Sequence, residues 1–464
     1  MTENAQNTTT ENEVDESLFH LTDENIKNIV DAVESQDTDT VTHALEDLSP
    51  ADTAELISKV DYENREELLS MYGETLSPEC FLEMDSELQR ATLSSLSAQR
   101  VASIVSELES DDALELIMSL DEEFQEEIIK KLSSKLRVVL EEGLSFPEDS
   151  AGRLMQREVV AVPELWTAGK TIDYIRAADN DLPEEFFDIF VIDPAYHIVG
   201  QIPLGKLIRA KRNVKINELL LEDIIQVPAM MDQEDVAHLF RREDIVSAPV
   251  IDDEGRLIGA ITIDDVIDVI DDEAQEDIMK MAGVEQGDFY RAIFSTTGTR
   301  FRWLFINLLT AILASVVISF FDTTIEQIVA LAVLMPIVAS MGGNAGTQAL
   351  TVAVRALATR ELSETNTWRM IWKETLVGSL KGLLFAGITG VVAALWFSNP
   401  MLGAVIASAM IINLFVAGFF GACIPIYLDK AGKDPAVAST VFLTTITDVV
   451  GFFAFLGLAA IFLL

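Results

Sequence analysis

The sequence is poor in the residues that build disulfide frameworks and zinc centres. Its 464 residues include two cysteines, Cys80 and Cys423, and four histidines. Two cysteines so far apart do not make a framework of bridges, and the histidines are scattered rather than spaced as zinc ligands. We therefore expect no soft-metal centre and a soluble part that faces a reducing compartment.

Basic residues are also scarce, and the shortage lies in one part of the chain. Residues 1–299 hold 23 Lys and Arg against 68 Asp and Glu, whereas the remainder holds nine and eight. Nucleic acids are bound by clustered Lys and Arg, so this composition predicts no nucleic-acid partner. It predicts a strongly acidic soluble part followed by a nearly neutral part.

Signatures of catalysis are missing as well. The sequence contains no nucleophile and base in a recognisable spacing, no P-loop and no metal-hydrolase motif, and we expect no enzyme and no catalytic residue. Residues 1–16 are polar and acidic and lack the apolar core of a signal peptide. They predict a disordered acidic leader.

Long apolar runs dominate the second part. Five of them are each near or above the roughly 20 residues that a bilayer requires, at about 302–321, 328–350, 376–397, 402–428 and 437–464. Lys and Arg lie before the first run, between the second and third, and between the fourth and fifth. By the positive-inside rule the acidic part is cytoplasmic and the C-terminus faces outward across the inner membrane.

One acid lies in the middle of the last run. A helix that starts near Val437 reaches Asp448 after about 16 Å, and an intramembrane acid costs about 2.5 to 3.5 kcal/mol by insertion scales. Thr444, Thr445 and Thr447 precede it and predict a polar side of the helix. Oxygen ligands of this kind suit a hard cation, Mg²⁺ or Ca²⁺. A structural pair with a neighbouring helix and a proton relay remain as alternatives; Lys381, near the start of its run, is expected to extend to the interface.

The second run contains LMPIVASMGGNAGTQALTVAVR. Pro336 and the glycines at 342, 343 and 346 weaken a helix, and Asn344, Thr347 and Gln348 add side-chain oxygens beside them. This pattern predicts a broken helix that lines a water-filled path. The alternative is a face of small residues for close helix packing.

The acidic part begins with a helical repeat. DTAELISKVDYENREELLS at 52–70 aligns without gaps to DALELIMSLDEEFQEEIIK at 112–130. Such self-similarity predicts a stacked helical array whose repeats bury their apolar faces on one another. We place this domain at residues 17–147.

Two strand–turn–strand–helix units follow, IFVIDPAYHIVGQIPLGKLI at 189–208 and APVIDDEGRLIGAITIDDVIDVI at 248–270. Together they resemble a tandem of CBS domains, at 148–210 and 211–262. Thr262 and Asp265 in the second unit are possible nucleotide contacts. In the first unit Pro203 and Lys206 replace the expected Thr or Ser and Asp, which argues against nucleotide binding there. In the second unit Ile245 replaces an aromatic that could stack on adenine, which weakens the case for ATP.

An acidic helix, predicted within 263–290, joins these units to the first apolar run. Eight acids and no base occupy fourteen of its residues, 264–277. Like charges at helical spacing repel one another. Divalent cations would relieve that repulsion.

The order of these parts resembles the MgtE family of magnesium channels and transporters. The specific matches are EDSAGRLM (148–155), IDDVIDVIDDEAQED (263–277), PIVASMGGNAGTQ (336–348), RALATREL (355–362) and DPAVASTVFLTTITDVVG (434–451). The resemblance implies a multidomain fold: an all-α helical-repeat N domain, an α/β CBS-domain pair, an acidic plug helix and a transmembrane domain of five α-helices at 291–464.

The resemblance also implies a function. A homodimer would conduct Mg²⁺ between its second and fifth spans, and cytosolic Mg²⁺ would close the pore through the plug helix. The implied pore contacts are Asp448, Asn344, Gly343, Thr444 and Thr445. The implied sensing acids are Asp111, Glu115, Asp232, Glu234, Asp244, Asp265, Asp268, Glu273, Glu276 and Asp277. A carrier that exchanges Mg²⁺ or Co²⁺ for another ion and a membrane-anchored Mg²⁺ or nucleotide sensor remain as alternatives.

Overall fold

A computed structural model of the chain describes residues 21–73, 75–178, 182–183, 185–221, 223–284 and 293–464. The contacts divide the chain into two compact units, one up to Asp271 and one from Asp272 onward. The predicted leader at 1–16 lies outside the described residues.

The first unit begins with ten short helices. Ser49, Ser97 and Ser133 each accept a hydrogen bond from a backbone N–H three residues on and so fix where a helix begins. The helices are α1 (Asp23–Glu34), α2 (Thr38–Glu46), α3 (Pro50–Lys59), α4 (Tyr62–Tyr72), α5 (Glu79–Leu82), α6 (Ser86–Ser95), α7 (Ala98–Glu107), α8 (Ser110–Met118), α9 (Glu122–Ile129) and α10 (Ser134–Leu144).

The predicted repeat appears as two equivalent helix pairs, α3 with α4 and α8 with α9. Leu56 and Ile57 of the first pair correspond to Leu116 and Ile117 of the second, and all four are fully buried. The acids between these apolar positions are left on the surface, which is the pattern that an amphipathic helix requires.

Two small sheets follow, each with one parallel and one antiparallel strand pair. Helix α11 (Ala151–Leu154) comes first in the chain and packs against the second sheet. The first sheet unit contains β1 (Ala161–Pro163), α12 (Ala168–Ala177), β2 (Asp188–Ile192), β3 (Ile198–Pro203) and α13 (Leu204–Arg209). The second contains β4 (Val227–Pro228), α14 (Gln233–Glu243), β5 (Ser247–Ile251), β6 (Leu257–Thr262) and the start of α15 (Ile263–Ala282). Both predicted hairpins are confirmed; in the second, Gly255 supplies the positive φ of +80° that its turn requires.

The second unit is helical, and five of its helices are long and apolar enough to span a bilayer. They are α16 (Ile293–Ser319), α18 (Ala330–Ala358), α19 (Thr367–Trp396), α20 (Pro400–Lys430) and α21 (Pro435–Phe462), with the short α17 (Asp322–Gln327) after the first. Helix α20 packs against α18, α19 and α21. The five predicted spans are confirmed.

The predicted break in the second span is wrong, because α18 runs without interruption from Ala330 to Ala358 through Pro336 and the glycines. The glycines serve close packing instead. A Cβ on Gly342 would lie 2.2 Å from Nδ2 of Asn413, and one on Gly346 would lie 2.9 Å from Cδ1 of Leu443. Neighbouring helices occupy the space that side chains would need, so the packing alternative is the correct one for these two positions.

Candidate functional site

Asp448 lies partly exposed on α21. Within the residues that the structure describes, no basic side chain or hydrogen-bond donor pairs with its carboxylate. The structural ion pair that the sequence left open therefore has no support among the described residues. An unpaired carboxylate in a spanning helix is a candidate contact for a cation.

The threonines before Asp448 divide between two sides of the helix. Thr444 is exposed and Thr445 partly so, whereas Thr447 is fully buried, which corrects the prediction that all three make a polar side. The hydroxyls of Thr444 and Thr445 donate to the carbonyls of Thr440 and Val441, one turn earlier. Their lone pairs remain able to accept a bond from a hydrated ion.

Asn344 on α18 and Asp448 on α21 lie in the same stretch of two adjacent helices. Two contacts bound this stretch: Gly342 and Gly451 both border the side chain of Asn413, and Gly346 borders the side chain of Leu443. The contact positions have rising residue numbers on α18 and falling residue numbers on α21, so the helices are antiparallel. Asn344 lies between the two α18 contacts and Asp448 between the two α21 contacts.

Asn344 is exposed and borders a cavity of about 430 Å³. The same cavity is lined by Gln348 and Lys381, and Nζ of Lys381 donates to Oε1 of Gln348 over 2.7 Å. The amide oxygen of Gln348 on α18 is thus a partner of Lys381 that the sequence did not predict.

A cluster of carboxylates lies between α8 and the start of α15. Its members are Asp111, Asp112, Asp264 and Asp265. Burial, followed by the charge of Asp265, raises the pKa of Asp111 well above its usual range. Burial and the charge of Asp264 raise the pKa of Asp112 to about 6. Burial also raises the pKa of Asp265 to about 6, although a hydrogen bond from Thr262 opposes the rise. The cluster holds more negative charge than its surroundings neutralise, which favours protons or metal cations there.

The remaining predicted sensing acids are distributed more widely. Glu115 is exposed on α8, and burial with the charges of Asp264 and Asp271 raises the pKa of Asp268. Asp232 and Asp244 cap opposite ends of the eleven-residue α14, with Glu234 in its first turn. At about 1.5 Å per residue the two caps are some 18 Å apart, too far to bind one ion together.

The C-terminal end of α15 contacts the start of α21. Nζ of Lys280 lies 2.6 Å from Oε1 of Glu276 and 3.0 Å from Oδ2 of Asp434. The hydroxyl of Thr440 donates to the carbonyl of Met281 over 3.2 Å. Burial and the charge of Asp434 raise the pKa of Asp277 beside this pair. Glu273, also predicted as a sensing acid, lies partly exposed one turn earlier on α15.

Among the described residues, no three His, Cys, Asp or Glu side chains are arranged to hold a metal by themselves. The carboxylates face one another in pairs and small groups across elements instead. Mg²⁺ retains several of its waters and needs only one or two carboxylates, so such groups suit it better than they suit zinc.

Of the two predicted nucleotide contacts, Thr262 borders a narrow cleft between the two sheets. The hydroxyl of Thr262 donates to Oδ2 of Asp265 over 2.7 Å, and Ser247 donates to Asp188 at the same distance. The cleft holds about 10 Å³, enough for about one water and far less than adenine requires. In the first unit Nζ of Lys206 donates to the carbonyl of Leu220.

Sequence reasoning missed several residues of these sites. Glu109 has its pKa raised to about 7 by burial and by the charge of Glu158, and Asp434 pairs with the acidic helix. Asn413 is a fully buried polar side chain between the two candidate pore helices. A polar residue in the run IINLF was a usable signal, because polar groups in spans need partners.

Family models match three parts of the chain. They are described as divalent cation transporter at residues 335–458, MgtE intracellular N domain at 48–149 and CBS domain at 216–272. These parts correspond to the spanning helices, the helical array and the second sheet unit.

Named relatives cover nearly the whole chain. A magnesium transporter MgtE from Thermus thermophilus is 32% identical over 93% of this chain and 97% of its own length. One from Bacillus subtilis is 28% identical over 90% and 93%. A solved structure of the cytosolic domain of the Mg²⁺ channel MgtE in complex with ATP is 30% identical, with a TM-score of 0.49, over 53% of this chain and 99% of that one. The chain therefore belongs to the MgtE family of magnesium transporters.

Proposed function

We propose that this protein is a Mg²⁺-selective channel for magnesium uptake that cytosolic Mg²⁺ closes. The observation that carries the proposal is that Asn344 and Asp448 lie in the same stretch of adjacent antiparallel helices, with no partner for the carboxylate among the described residues. A carboxylate, an amide oxygen and nearby hydroxyls form an oxygen-only surface. Such a surface holds Mg²⁺ with most of its hydration waters retained.

A second copy completes the proposed pore. Two Asp448 carboxylates that face one axis would repel each other without a cation, and a divalent ion between them offsets both charges. Gly343 is next to Asn344 and Thr444 is one turn before Asp448, so the waters of a hydrated ion can donate hydrogen bonds to their oxygens. The proposed unit is a homodimer in the inner membrane with its acidic domains in the cytoplasm and its C-terminus outside, in accord with the basic connectors.

Gating follows from the acidic clusters. When cytosolic Mg²⁺ is high, ions bridge carboxylates of α8 and α15 and hold α15 in its closed position. When Mg²⁺ falls, the carboxylates repel one another and α15 is released. Each ion contributes only through its higher affinity for the closed state, so several weak sites acting together give a steep response.

ATP is not required in this mechanism. The cleft at Thr262 and Asp265 holds about 10 Å³ and would have to open before a nucleotide could enter. We expect Mg²⁺ to close the channel in the absence of nucleotide, with any effect of ATP limited to the Mg²⁺ concentration that closes it.

The decisive experiment is electrical recording from the purified protein in planar bilayers. We expect unitary Mg²⁺ currents, which Asp448→Asn abolishes and which Mg²⁺ on the cytosolic side suppresses. The combined variant D265N/D268N/E273Q/E276Q should remain open at high Mg²⁺. Glu126→Gln, on the exposed surface of the N domain and paired with Lys130, is the control for loss of acidic charge.

The two alternative functions, an exchanging carrier and a membrane-anchored sensor, predict different results in these recordings and in flux measurements. Mg²⁺ flux without resolvable unitary currents would favour the exchanging carrier. Unchanged Mg²⁺ flux in Asp448→Asn, with altered behaviour of the combined acid variant, would favour the anchored sensor. Normal closure of the combined variant by Mg²⁺ would contradict the gating part alone.

A further inference from the structure

Asn413 is the polar centre of an otherwise apolar segment of α20. It is fully buried, and its neighbours in the run are isoleucine and leucine. At about 1.5 Å per residue it lies roughly 20 Å from the first residue of the helix, near the middle of the span. A polar amide at this depth needs partners that the helix backbone of its own span does not supply.

The amide reaches across to α18. Nδ2 of Asn413 donates to the carbonyl of Val338 over 2.8 Å. In the regular α-helical pattern that carbonyl also accepts the N–H of Gly342, so it serves two donors. The bond therefore fixes α20 against α18 at Val338, six residues before Asn344.

Two glycines, one on each candidate pore helix, make room for the amide. A Cβ on Gly342 would lie 2.2 Å from Nδ2, and a Cβ on Gly451 would lie 2.7 Å from the same atom. Both distances are too short for any side chain, so a planar amide fills the slot between the two backbones. Gly451 lies three residues after Asp448, so the slot is within one turn of the acid.

The other half of the amide is unsatisfied. In the described part of the chain Oδ1 of Asn413 is buried and has no hydrogen-bond partner. A leucine of similar shape would fill the space without burying an orphan acceptor, so filling space does not account for this side chain. What the Asn413 side chain contributes beyond its volume is the hydrogen bond to Val338, made from a position between the two glycines.

We propose that Asn413 is a positioning residue for permeation: it fixes the register of α18 and α21 in the stretch that carries Asn344 and Asp448. The proposal rests on the proposed pore, because it assigns Asn413 to the same ion path without contact to the ion. A functional site tolerates errors of only about 0.5 Å before it loses its geometry. A slip of either helix by a fraction of a residue would shift Asn344 relative to Asp448 by more than this.

The test compares Asn413→Ala, Asn413→Ser and the double variant G342A/N413A in reconstituted full-length protein. We measure Mg²⁺ flux, the ratio of Mg²⁺ to Ca²⁺ permeability and the melting temperature. The matched control is Thr375→Val on α19, a buried side chain whose hydroxyl bonds only to Ile371 of its own helix. Asn413→Ser retains a small polar group. It takes the place of Asn413→Ala in the comparison if the alanine variant does not fold.

We expect the Asn413 variants to lose about tenfold or more of the Mg²⁺ flux, as small displacements at a reacting centre do, and to discriminate less against Ca²⁺. The melting temperature should remain close to that of the Thr375→Val control. Unchanged flux and selectivity in Asn413→Ala or Asn413→Ser overturn the proposal. So does their recovery in G342A/N413A, where a methyl refills the slot without a hydrogen bond. A wild-type protein that passes no Mg²⁺ refutes the proposed function instead.

Discussion

Nζ of Lys280, in the last turn of α15, lies 3.0 Å from Oδ2 of Asp434, the residue that caps the start of α21. Burial by itself would lower the pKa of Lys280, but hydrogen bonds to Glu276 and Asp434 outweigh it and raise the pKa. The lysine therefore stays charged at every pH at which the protein functions. It is a fixed cation among acids that we assign to Mg²⁺ sensing.

Replacing Lys280 by Met removes this fixed cation from the contact between α15 and α21. Partly exposed ion pairs contribute up to about 1 kcal/mol, so the Mg²⁺ concentration for half closure should rise by about fivefold at most. The measurement is channel current against cytosolic-side Mg²⁺. Lys130→Met, which removes an exposed pair with Glu126, is the control. A half-closing concentration at or below the wild-type value would contradict the prediction.

Stability of the acidic unit should fall as pH rises. The folded-state pKa of Glu109 is about 7 and those of Asp112 and Asp265 about 6, all above their ordinary values near 4. The folded state then binds more protons between about pH 4 and 7, so unfolding free energy decreases through that window and is level above it. Thermal melts in EDTA should show this decrease.

Mg²⁺ should reverse that loss. Because a metal binds the deprotonated carboxylates, it should raise the melting temperature more at pH 7.5 than at pH 5. The variant E109Q/D112N should flatten both dependences. A metal-free melting temperature that rises between pH 5 and 7.5 would refute the claim that these carboxylates lower the stability as they lose their protons. The lowered pKa values of Asp37, Asp61 and Asp193 affect stability only below about pH 4 and do not interfere.

Lys381 should limit occupancy of the cavity that Asn344 borders. Its ammonium, held by Gln348, places a positive charge beside the proposed cation path. Lys381→Met removes a charge that repels Mg²⁺, so flux should saturate at a lower Mg²⁺ concentration. Lys373→Met on the same helix, exposed and outside the cavity, is the matched control. The same saturating concentration in Lys381→Met and wild type would exclude an electrostatic role.

Gly346 and Gly343 should differ sharply when each is replaced by alanine. The methyl at 346 would lie 2.9 Å from Cδ1 of the fully buried Leu443, whereas the methyl at 343 would meet nothing within 4 Å. Gly346→Ala should cost about 1 to 3 kcal/mol of stability and lower Mg²⁺ flux by separating α18 from α21. Gly343→Ala should leave the melting temperature unchanged. Equal melting temperatures for the two variants would contradict this packing.

Much of the fold could be predicted because its signals are local in the chain. Apolar runs longer than the bilayer core define the spans, and the 60-residue repeat defines the paired helices α3–α4 and α8–α9. The strand patterns and the turns at DPAYH and DDEG define the sheet units. Each of these depends on periodicity or turn chemistry within a short window.

The failures have a common physical reason. Pro336 and the glycines of α18 destabilise an isolated helix, but packing against Asn413 and Leu443 stabilises the continuous helix that forms. Lys381 likewise bonds to the amide of Gln348, a partner on another helix that its own apolar run does not reveal. In both cases a contact from a distant segment outweighs a local preference, and a sequence read one window at a time does not contain that contact.

The sequence by itself determined the five spans, the acidic cytoplasmic part, the family and the identity of Asp448 as a charge in mid-membrane. Only the tertiary structure decided that Asn344 and Asp448 lie in one stretch of adjacent antiparallel helices, that Thr447 faces the interior, and that Lys280 contacts Asp434. Hydropathy and charge are properties of single residues and persist in any arrangement of the chain. Depth, register and pairing arise only when helices pack, since they depend on which backbones glycine allows to approach.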